Sequence, residues 1–381
     1  MKNDIIAVLL MVKNESESIA LTLESTKVHF DEVIVFDTGS TDDTLAIIRK
    51  TCVKNKQTLY LKEGQFKSFP ESRNEALEFA EKTTSCAYIL MMDAGDEFKT
   101  SIPKREFCDM FKSVPAHLAF DIGIIKQKWL DSTSKGLSDH FDCRLIKNHK
   151  GIRYDLRFPV HEQVSNASQL VSSNFGDNFY LYQDRVKYAG STAKRYTRDI
   201  ELLSKAVANK RNLYFLAQSY MSVEDFKNGY KYNVLSYQCK NEDDCNFHDE
   251  TFTLVRIAFC AMRSNMTSIA IRYLEKLLNA DEVPVDAYVY LLDIHIKKNE
   301  CDKVIKYVEA LFNLEKPSAS SSIKLVNHYF YDYLRFHLIS IVCLMTRQKL
   351  DIGRKAIEIA IKFDKPDDRH NYEVYRSILG S

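Results

Sequence analysis

The chain reads as an α/β protein: a mixed, mostly parallel sheet flanked by helices, followed by an all-α region. Three observations predict this. Short apolar runs at 5–12, 33–36, 58–60 and 88–92 alternate with helical stretches, the spacing of strand–helix units in a parallel sheet. The run 88–92, Tyr-Ile-Leu-Met-Met, is apolar throughout, as a strand buried on both faces requires. From about residue 193 the strand signal gives way to helical periodicity. The expected domains are therefore an α/β domain over 1–190 and an α-helical domain over 191–381.

The elements follow in order. Residues 5–12 form strand one, and Ser16 or Ser18 caps a helix running to about Val28. Residues 33–36 form strand two, ending in Asp37-Thr38-Gly39-Ser40-Thr41-Asp42-Asp43-Thr44, a turn and then a helix start. Asp42 and Asp43 there suit the helix dipole. A short strand at 58–60 precedes a helix over 69–81 that carries Ser72-Arg73-Asn74. The strand at 88–92 comes next. Further strands are expected at 119–128, 144–147 and 180–182, separated by polar loops.

Composition excludes several classes. At 381 residues the chain has room for two domains. Its 45% hydrophobic and 28% charged residues are those of an ordinary globular protein. A net charge of +1 implies no nucleic-acid partner. Nine cysteines without Cys-x-x-Cys spacing read as reduced thiols in a cytoplasmic compartment. The run 5–12 lacks a small-residue cleavage site, so it is read as a strand and not a signal peptide. No stretch approaches the ~20 apolar residues of a membrane span, so no integral membrane segment is expected. No Gly-x-Gly-x-x-Gly or Gly-Lys-Ser/Thr loop is present, which argues against Rossmann and P-loop nucleotide sites.

The chemistry concentrates after the 88–92 strand, where Asp93, Asp96 and Glu97 crowd around Ala94-Gly95. Open α/β sheets bind ligands at the carboxyl ends of their strands. Crowded carboxylates repel unless a cation neutralises them, and hard oxygen donors suit Mg²⁺ or Mn²⁺, which also bridge phosphates. An acidic, N-capping turn accounts for the same residues in isolation. Asp37 can accept from the imide N–H of a uracil-type base, and Gly39 lets the backbone approach a flat ring. Arg73 can clamp a diphosphate with two parallel hydrogen bonds and is expected at a cleft rather than in the core. His161 is a candidate metal ligand, and Glu162 a candidate base for an acceptor hydroxyl. Asp139 and Asp142 compete for that second role.

Together these stretches resemble the family 2 glycosyltransferases, closest to an intracellular subgroup with a tetratricopeptide-type helical tail. The matching residues are Met11-Val12-Lys13-Asn14-Glu15, Asp37 to Thr44, Ser72-Arg73-Asn74-Glu75-Ala76, Met92 to Glu97, Arg144-Leu145-Ile146 and Val160-His161-Glu162. They occur in the family's order and cover roughly the first 190 residues. The resemblance implies a GT-A fold and sugar transfer from a nucleotide-diphosphate donor, a UDP-sugar, usually with anomeric inversion. It implies donor binding at Val12, Asn14, Glu15, Asp37, Gly39, Ser40, Arg73, Asp93 and Ala94. It implies a divalent metal, Mn²⁺ or Mg²⁺, on Asp96 with Asp93 and His161, and a catalytic carboxylate among Glu162, Asp142 and Asp139. The chain departs from the pattern twice: Gly95 is an extra residue in the acidic turn, and Tyr188-Ala189-Gly190 stands where the subgroup often has His-x-Gly.

In the second half, Leu254, Ile257, Ala258, Ala261, Ala270, Leu274 and Leu277 match the packing positions of a tetratricopeptide repeat. Tyr288, Leu291, Leu292, His295, Val304, Val308 and Leu311 repeat that spacing 34 residues on. His295 is thus expected in the core. Such a tail serves dimerisation or acceptor docking in related enzymes. Two other functions share parts of the pattern. A nucleotidyltransferase also uses carboxylate-held metal, but its Gly- and Arg/Lys-rich loop after strand one is missing. A non-catalytic binding module is what the Gly95 and Tyr188 departures favour.

Overall fold

A computed structural model describes residues 5–112, 120–131, 136–186, 190–239, 250–317 and 327–380. Four strands, β1 (Ile6–Val12), β2 (Glu32–Asp37), β3 (Thr58–Glu63) and β4 (Tyr88–Met92), run parallel in the order β3-β2-β1-β4. Helices α1 (Ile19–Thr26), α2 (Thr44–Asn55) and α3 (Phe69–Thr83) connect them. α3 starts where its sequence dictates: the Ser68 hydroxyl accepts from the Glu71 N–H at 3.3 Å, and Pro70 occupies the first turn.

The sheet continues with β5 (Glu97–Thr100), β6 (Ile122–Asp131), β7 (Gly136–Lys147), β8 (Ser172–Asn174) and β9 (Phe179–Asp184), plus the helices α4 (Lys104–Lys112) and α5 (Gly190–Lys205). Its order is β3-β2-β1-β4-β7-β6-β9-β5, with β8 beside β6. β7 pairs antiparallel with both β4 and β6, and β5 antiparallel with β9. The sheet is therefore mixed and mostly parallel, as expected. Tyr188 and Ala189 lie outside the described residues.

Both faces of the parallel half are buried. On β1, Val8, Leu10 and Val12 join a cluster with Leu23, Phe30, Ile48 and the aromatics of β5, α4 and β9. Ala7 and Leu9 face the other way, against Ala76, Leu77 and Ala80 of α3. That two-sided burial is why these strands read as continuous apolar runs.

Two elements differ from expectation. β5 was not foreseen because only Phe98 of its four residues is buried; a single apolar residue gives no alternation to read. β7 begins at Gly136, well before residue 144; its first half carries four polar residues in Ser138-Asp139-His140-Phe141-Asp142, which is why it did not read as a strand.

The chain divides into two compact units, Met1–Ala206 and Val207–Ser381. α5 belongs to the first; its Arg198 guanidinium lies 4.6 Å from the Phe69 ring. The second holds α6 (Lys210–Ser222), α7 (Phe226–Gln238), α8 (Glu250–Arg263), α9 (Thr267–Leu277), α10 (Val285–Lys297), α11 (Val308–Phe312), α12 (Arg335–Thr346), α13 (Leu350–Ala360) and α14 (Pro366–Leu379). Every packing position named above at 34-residue spacing is buried, His295 included, with its Nδ1 3.1 Å from Glu300. After α10 the helical pattern tightens into short 3₁₀ turns at Cys301–Lys303 and Ile305–Tyr307. The adjacent β-branched Val304 and Ile305 disfavour a regular α-helix there. Among the described residues no helix is long and apolar enough to cross a membrane.

Candidate active site

The chain passes from β1 outward to β2 and β3, then returns to place β4 on the other side of β1. Such a switch point opens a crevice at the carboxyl ends of the strands. Leu10 pairs with Met92 and Val12 with Asp37, so the loops after β1, β2 and β4 emerge side by side.

The first two loops are stitched together. Asn14 takes a left-handed conformation, φ 55°, which aims its side chain across at the β2 loop. The Thr41 N–H donates to Asn14 Oδ1 at 2.7 Å, and the Asn14 N–H to Ser40 Oγ at 3.0 Å. The Glu15 N–H donates to Thr44 Oγ1 at 2.7 Å, and the Thr38 N–H to the Val12 carbonyl at 2.9 Å. Asp37 is buried, and its carboxylate accepts from the N–H groups of Gly39 and Ser40, both at 3.0 Å. Gly39 has φ 101°, a conformation glycine alone adopts cheaply. Val12, Asn14, Glu15, Asp37, Gly39 and Ser40 therefore form one polar double loop.

The third loop is the acidic turn. The Asp96 N–H donates to the Asp93 carbonyl at 3.1 Å, with Gly95 at φ 94°. That is a type II turn, which needs a positive φ at its third residue. The extra glycine thus makes the turn instead of breaking it. The Asp93 N–H returns to Asp96 Oδ2 at 2.9 Å, and the Gly95 N–H donates to the buried Thr22 hydroxyl at 2.9 Å. Ala94 packs onto the adjacent core.

Asp93 is gripped through both oxygens. Arg73 Nη2 donates to Oδ1 at 3.1 Å and Arg144 Nη1 to Oδ2 at 2.8 Å. Arg73 Nε donates in turn to Glu162 at 3.0 Å, and Arg144 Nε lies 3.2 Å from Asp142. With its amide oxygen turned toward Arg144, Gln127 accepts from Nε and Nη2, both at 2.9 Å. Arg73 is buried, not set at an open cleft, because these carboxylates draw it inward. Glu162 reaches it because Asn74 hydrogen-bonds the Tyr154 backbone at 3.0 and 2.7 Å, pinning the following segment to α3. The Arg73 guanidinium also sits 5.9 Å over the Tyr154 ring.

The electrostatics follow from these pairings. Burial opposes charge on Asp93, but Arg144 and Arg73 outweigh it and hold the carboxyl well below its usual range. Asp96 goes the other way. Burial, and then the negative charge of Asp93, push it up to about 7, against smaller opposing effects that include Arg144 and Arg185. Glu15 is also raised, first by burial and then by Asp93 and Asp42, with the Ser18 hydroxyl and Arg198 opposing.

Among the described residues no group of three or more His, Cys, Asp and Glu side chains is arranged to hold a metal ion. The expected set of Asp96, Asp93 and His161 is not assembled: His161 is exposed, at φ 52°. Asp93 and Asp96 alone do fit a divalent ion of the kind bound by one or two carboxylates plus phosphate and water oxygens. The raised Asp96 carboxyl is the group an added cation would relieve. Asp142 has a half-exposed side chain, while that of Glu162 is 13% exposed and committed to Arg73. Of Asp139 only the backbone, on β7, is described. Sequence reasoning assigned no role to Arg144 or Gln127. A polar series at alternate positions of a strand, His140, Asp142 and Arg144, was the available signal.

Residues 7–104 match the family model Glycosyl transferase family 2. The SPbeta prophage-derived glycosyltransferase SunS of Bacillus subtilis (strain 168) is 26% identical over 190 residues, which is 50% of this chain and 42% of that protein. An uncharacterized glycosyltransferase of Rickettsia conorii is 28% identical over 193 residues, 49% of this chain and 63% of that protein. The chain thus spans about half the length of these relatives. A crystal structure of S. aureus TarS 1-349 is 16% identical with a TM-score of 0.40, covering 71% of this chain and 91% of that one. At that score the likeness carries no weight.

Proposed function

Because residues 7–104 match the Glycosyl transferase family 2 model, we propose that the chain moves a sugar from a UDP-sugar to an acceptor hydroxyl, with inversion at the anomeric carbon. The observation that supports this most is Asp93, at the carboxyl end of a central parallel strand and fixed through both oxygens by Arg144 and Arg73. The double loop of Asn14–Glu15 and Asp37–Ser40 beside it would take the nucleoside, Gly39 giving a flat ring close approach to the backbone. Arg73 and Arg144, paired with Asp93, Glu162 and Asp142, would serve to fix the Asp93 carboxylate beside that loop. Asp93 and Asp96 would hold Mn²⁺ or Mg²⁺, which neutralises the departing diphosphate when bound.

Each of Asp142 and Glu162 is paired with an arginine, and we take Asp142 as the base because its side chain is 51% exposed against 13% for Glu162. In this scheme the acceptor hydroxyl loses its proton to Asp142 as its oxygen bonds to the anomeric carbon, and the bond to the diphosphate oxygen breaks on the opposite face. The intact acidic turn, Gly95 included, weighs against a module that has lost activity. To the helical unit we assign a tetratricopeptide-like role in self-association, and we place the activity in the cytoplasm. Thermal shift with a panel of nucleotide sugars, with and without Mn²⁺, tests the reading. UDP-sugars should raise the melting temperature; no shift with any nucleotide would reject it.

A further inference from the structure

The helical unit holds a cleft of about 530 Å³, inside the range of roughly 300–1,000 Å³ typical of ligand sites. Its walls are α9, α10 and the 3₁₀ turns at Cys301–Lys303 and Ile305–Tyr307. Ile271 and Glu275 stand one turn apart on α9, and Leu291 and His295 one turn apart on α10. Each helix thus brings one apolar and one polar side chain to the cleft. Residues three apart align along 3₁₀ turns, which sets Val304 with Tyr307, and Lys303 with Lys306, on the third wall.

His295 is more than packing requires. Its side chain is 7% exposed, and Nδ1 lies 3.1 Å from Glu300 Oε2. A carboxylate only accepts, so the ring proton sits on Nδ1 and Nε2 keeps a lone pair. No described residue bonds Nε2. A buried imidazole nitrogen needs a donor, and the open space along this side chain is the cleft.

The surrounding charges point the same way. Both ammonium groups already have partners: Lys303 pairs with Glu300 at 3.0 Å, and Lys306 lies 4.8 Å from the centroid of the Tyr307 ring. The Glu275 carboxylate has no partner among the described residues. Asp302 has only the Gln348 amide, at 3.5 Å. Two open carboxylates and an imidazole lone pair are all acceptors. Their complement is a cationic donor whose apolar stem can lie on Ile271, Leu291 and Val304.

We propose that this cleft binds a lysine or arginine side chain of a polypeptide partner. Its volume leaves room for the basic side chain together with the backbone that carries it. The proposal is independent of the donor reading, which concerns the first unit.

The test uses the full chain and fluorescein-labelled Ala-Ala-Xaa-Ala-Ala peptides, with Xaa arginine, lysine, citrulline or glutamate, followed by fluorescence polarisation. The arginine and lysine peptides should bind. Citrulline keeps the shape of arginine without its charge, so it should bind about tenfold or more weakly, as should glutamate. Glu275→Gln combined with Asp302→Asn should weaken the arginine peptide about tenfold to a hundredfold. Both positions are exposed, so the melting temperature should hold. Glu373→Gln, an exposed position on α14 outside the cleft, should change nothing. Agmatine, a free guanidinium on an apolar stem, should bind more weakly than the arginine peptide; equal affinity would overturn the polypeptide occupant. Arginine and citrulline peptides that bind alike, or unchanged affinity in the double variant, would overturn the site. An equal loss in Glu373→Gln would do the same, by reducing the effect to bulk charge.

Discussion

Arg73→Leu should destabilise the first unit through a single stranded charge. Arg73 bonds Glu162 at 3.0 Å and Asp93 at 3.1 Å. Its loss leaves Asp93 with Arg144, on a side chain 37% exposed, but leaves Glu162 at 13% exposure without its guanidinium. Removing one partner of a buried ion pair costs ~3–5 kcal/mol. The residual exposure of both carboxylates points to the lower end, about 3 kcal/mol. Glu162→Leu alone should cost less, since Arg73 keeps Asp93. The double variant, Arg73→Leu with Glu162→Leu, should recover most of the loss, because replacing a whole buried pair by apolar residues is often near neutral. The coupling energy should therefore be about 2 kcal/mol or more, within the range for residues in contact. Urea unfolding followed by Trp129 emission measures this in the right place, because the sole tryptophan lies in the first unit. Single-variant losses that add to within ~0.5 kcal/mol would refute the pairing, and with it the anchoring of the Glu162 segment.

Further outcomes follow from the same geometry. Gly95→Ala forces a side chain into φ 94° and should cost about 1–3 kcal/mol, read by the same unfolding curve. Asp142→Asn should lower transfer by ~10²–10⁴-fold with donor affinity unchanged, whereas Glu162→Gln should lower both stability and donor affinity. Initial rates and UDP calorimetry on the two variants separate these roles. Chelating divalent cations should weaken UDP binding in the native chain and have less effect in Asp96→Asn; equal affinity with and without chelator would remove the metal from the scheme.

What the sequence showed, and what it hid, has a physical basis. β1, β2 and β4 were legible because both of their faces are buried, which leaves an unbroken apolar run. α3, expected over 69–81, spans Phe69–Thr83. Asp93, Asp96 and the Asn14–Glu15 and Asp37–Ser40 loops were legible because turn chemistry is local. The partners of Asp93 were not. Arg73 lies 20 positions away, Arg144 51, and Glu162 is 89 from Arg73. Such pairings depend on β7 folding back against β4 and on Asn74 holding Tyr154, and neither leaves a short-range trace.

The most direct test of the account measures UDP release from UDP-sugars, with Mn²⁺ present, by the native chain and by Asp93→Asn. Asp93→Asn removes the one charge that holds Arg73 and Arg144 together at the end of β4. The account predicts UDP release by the native chain from at least one UDP-sugar, and a loss of ~10²-fold or more in the variant, the scale of removing one preorganised electrostatic group. Native-level release by Asp93→Asn would contradict it.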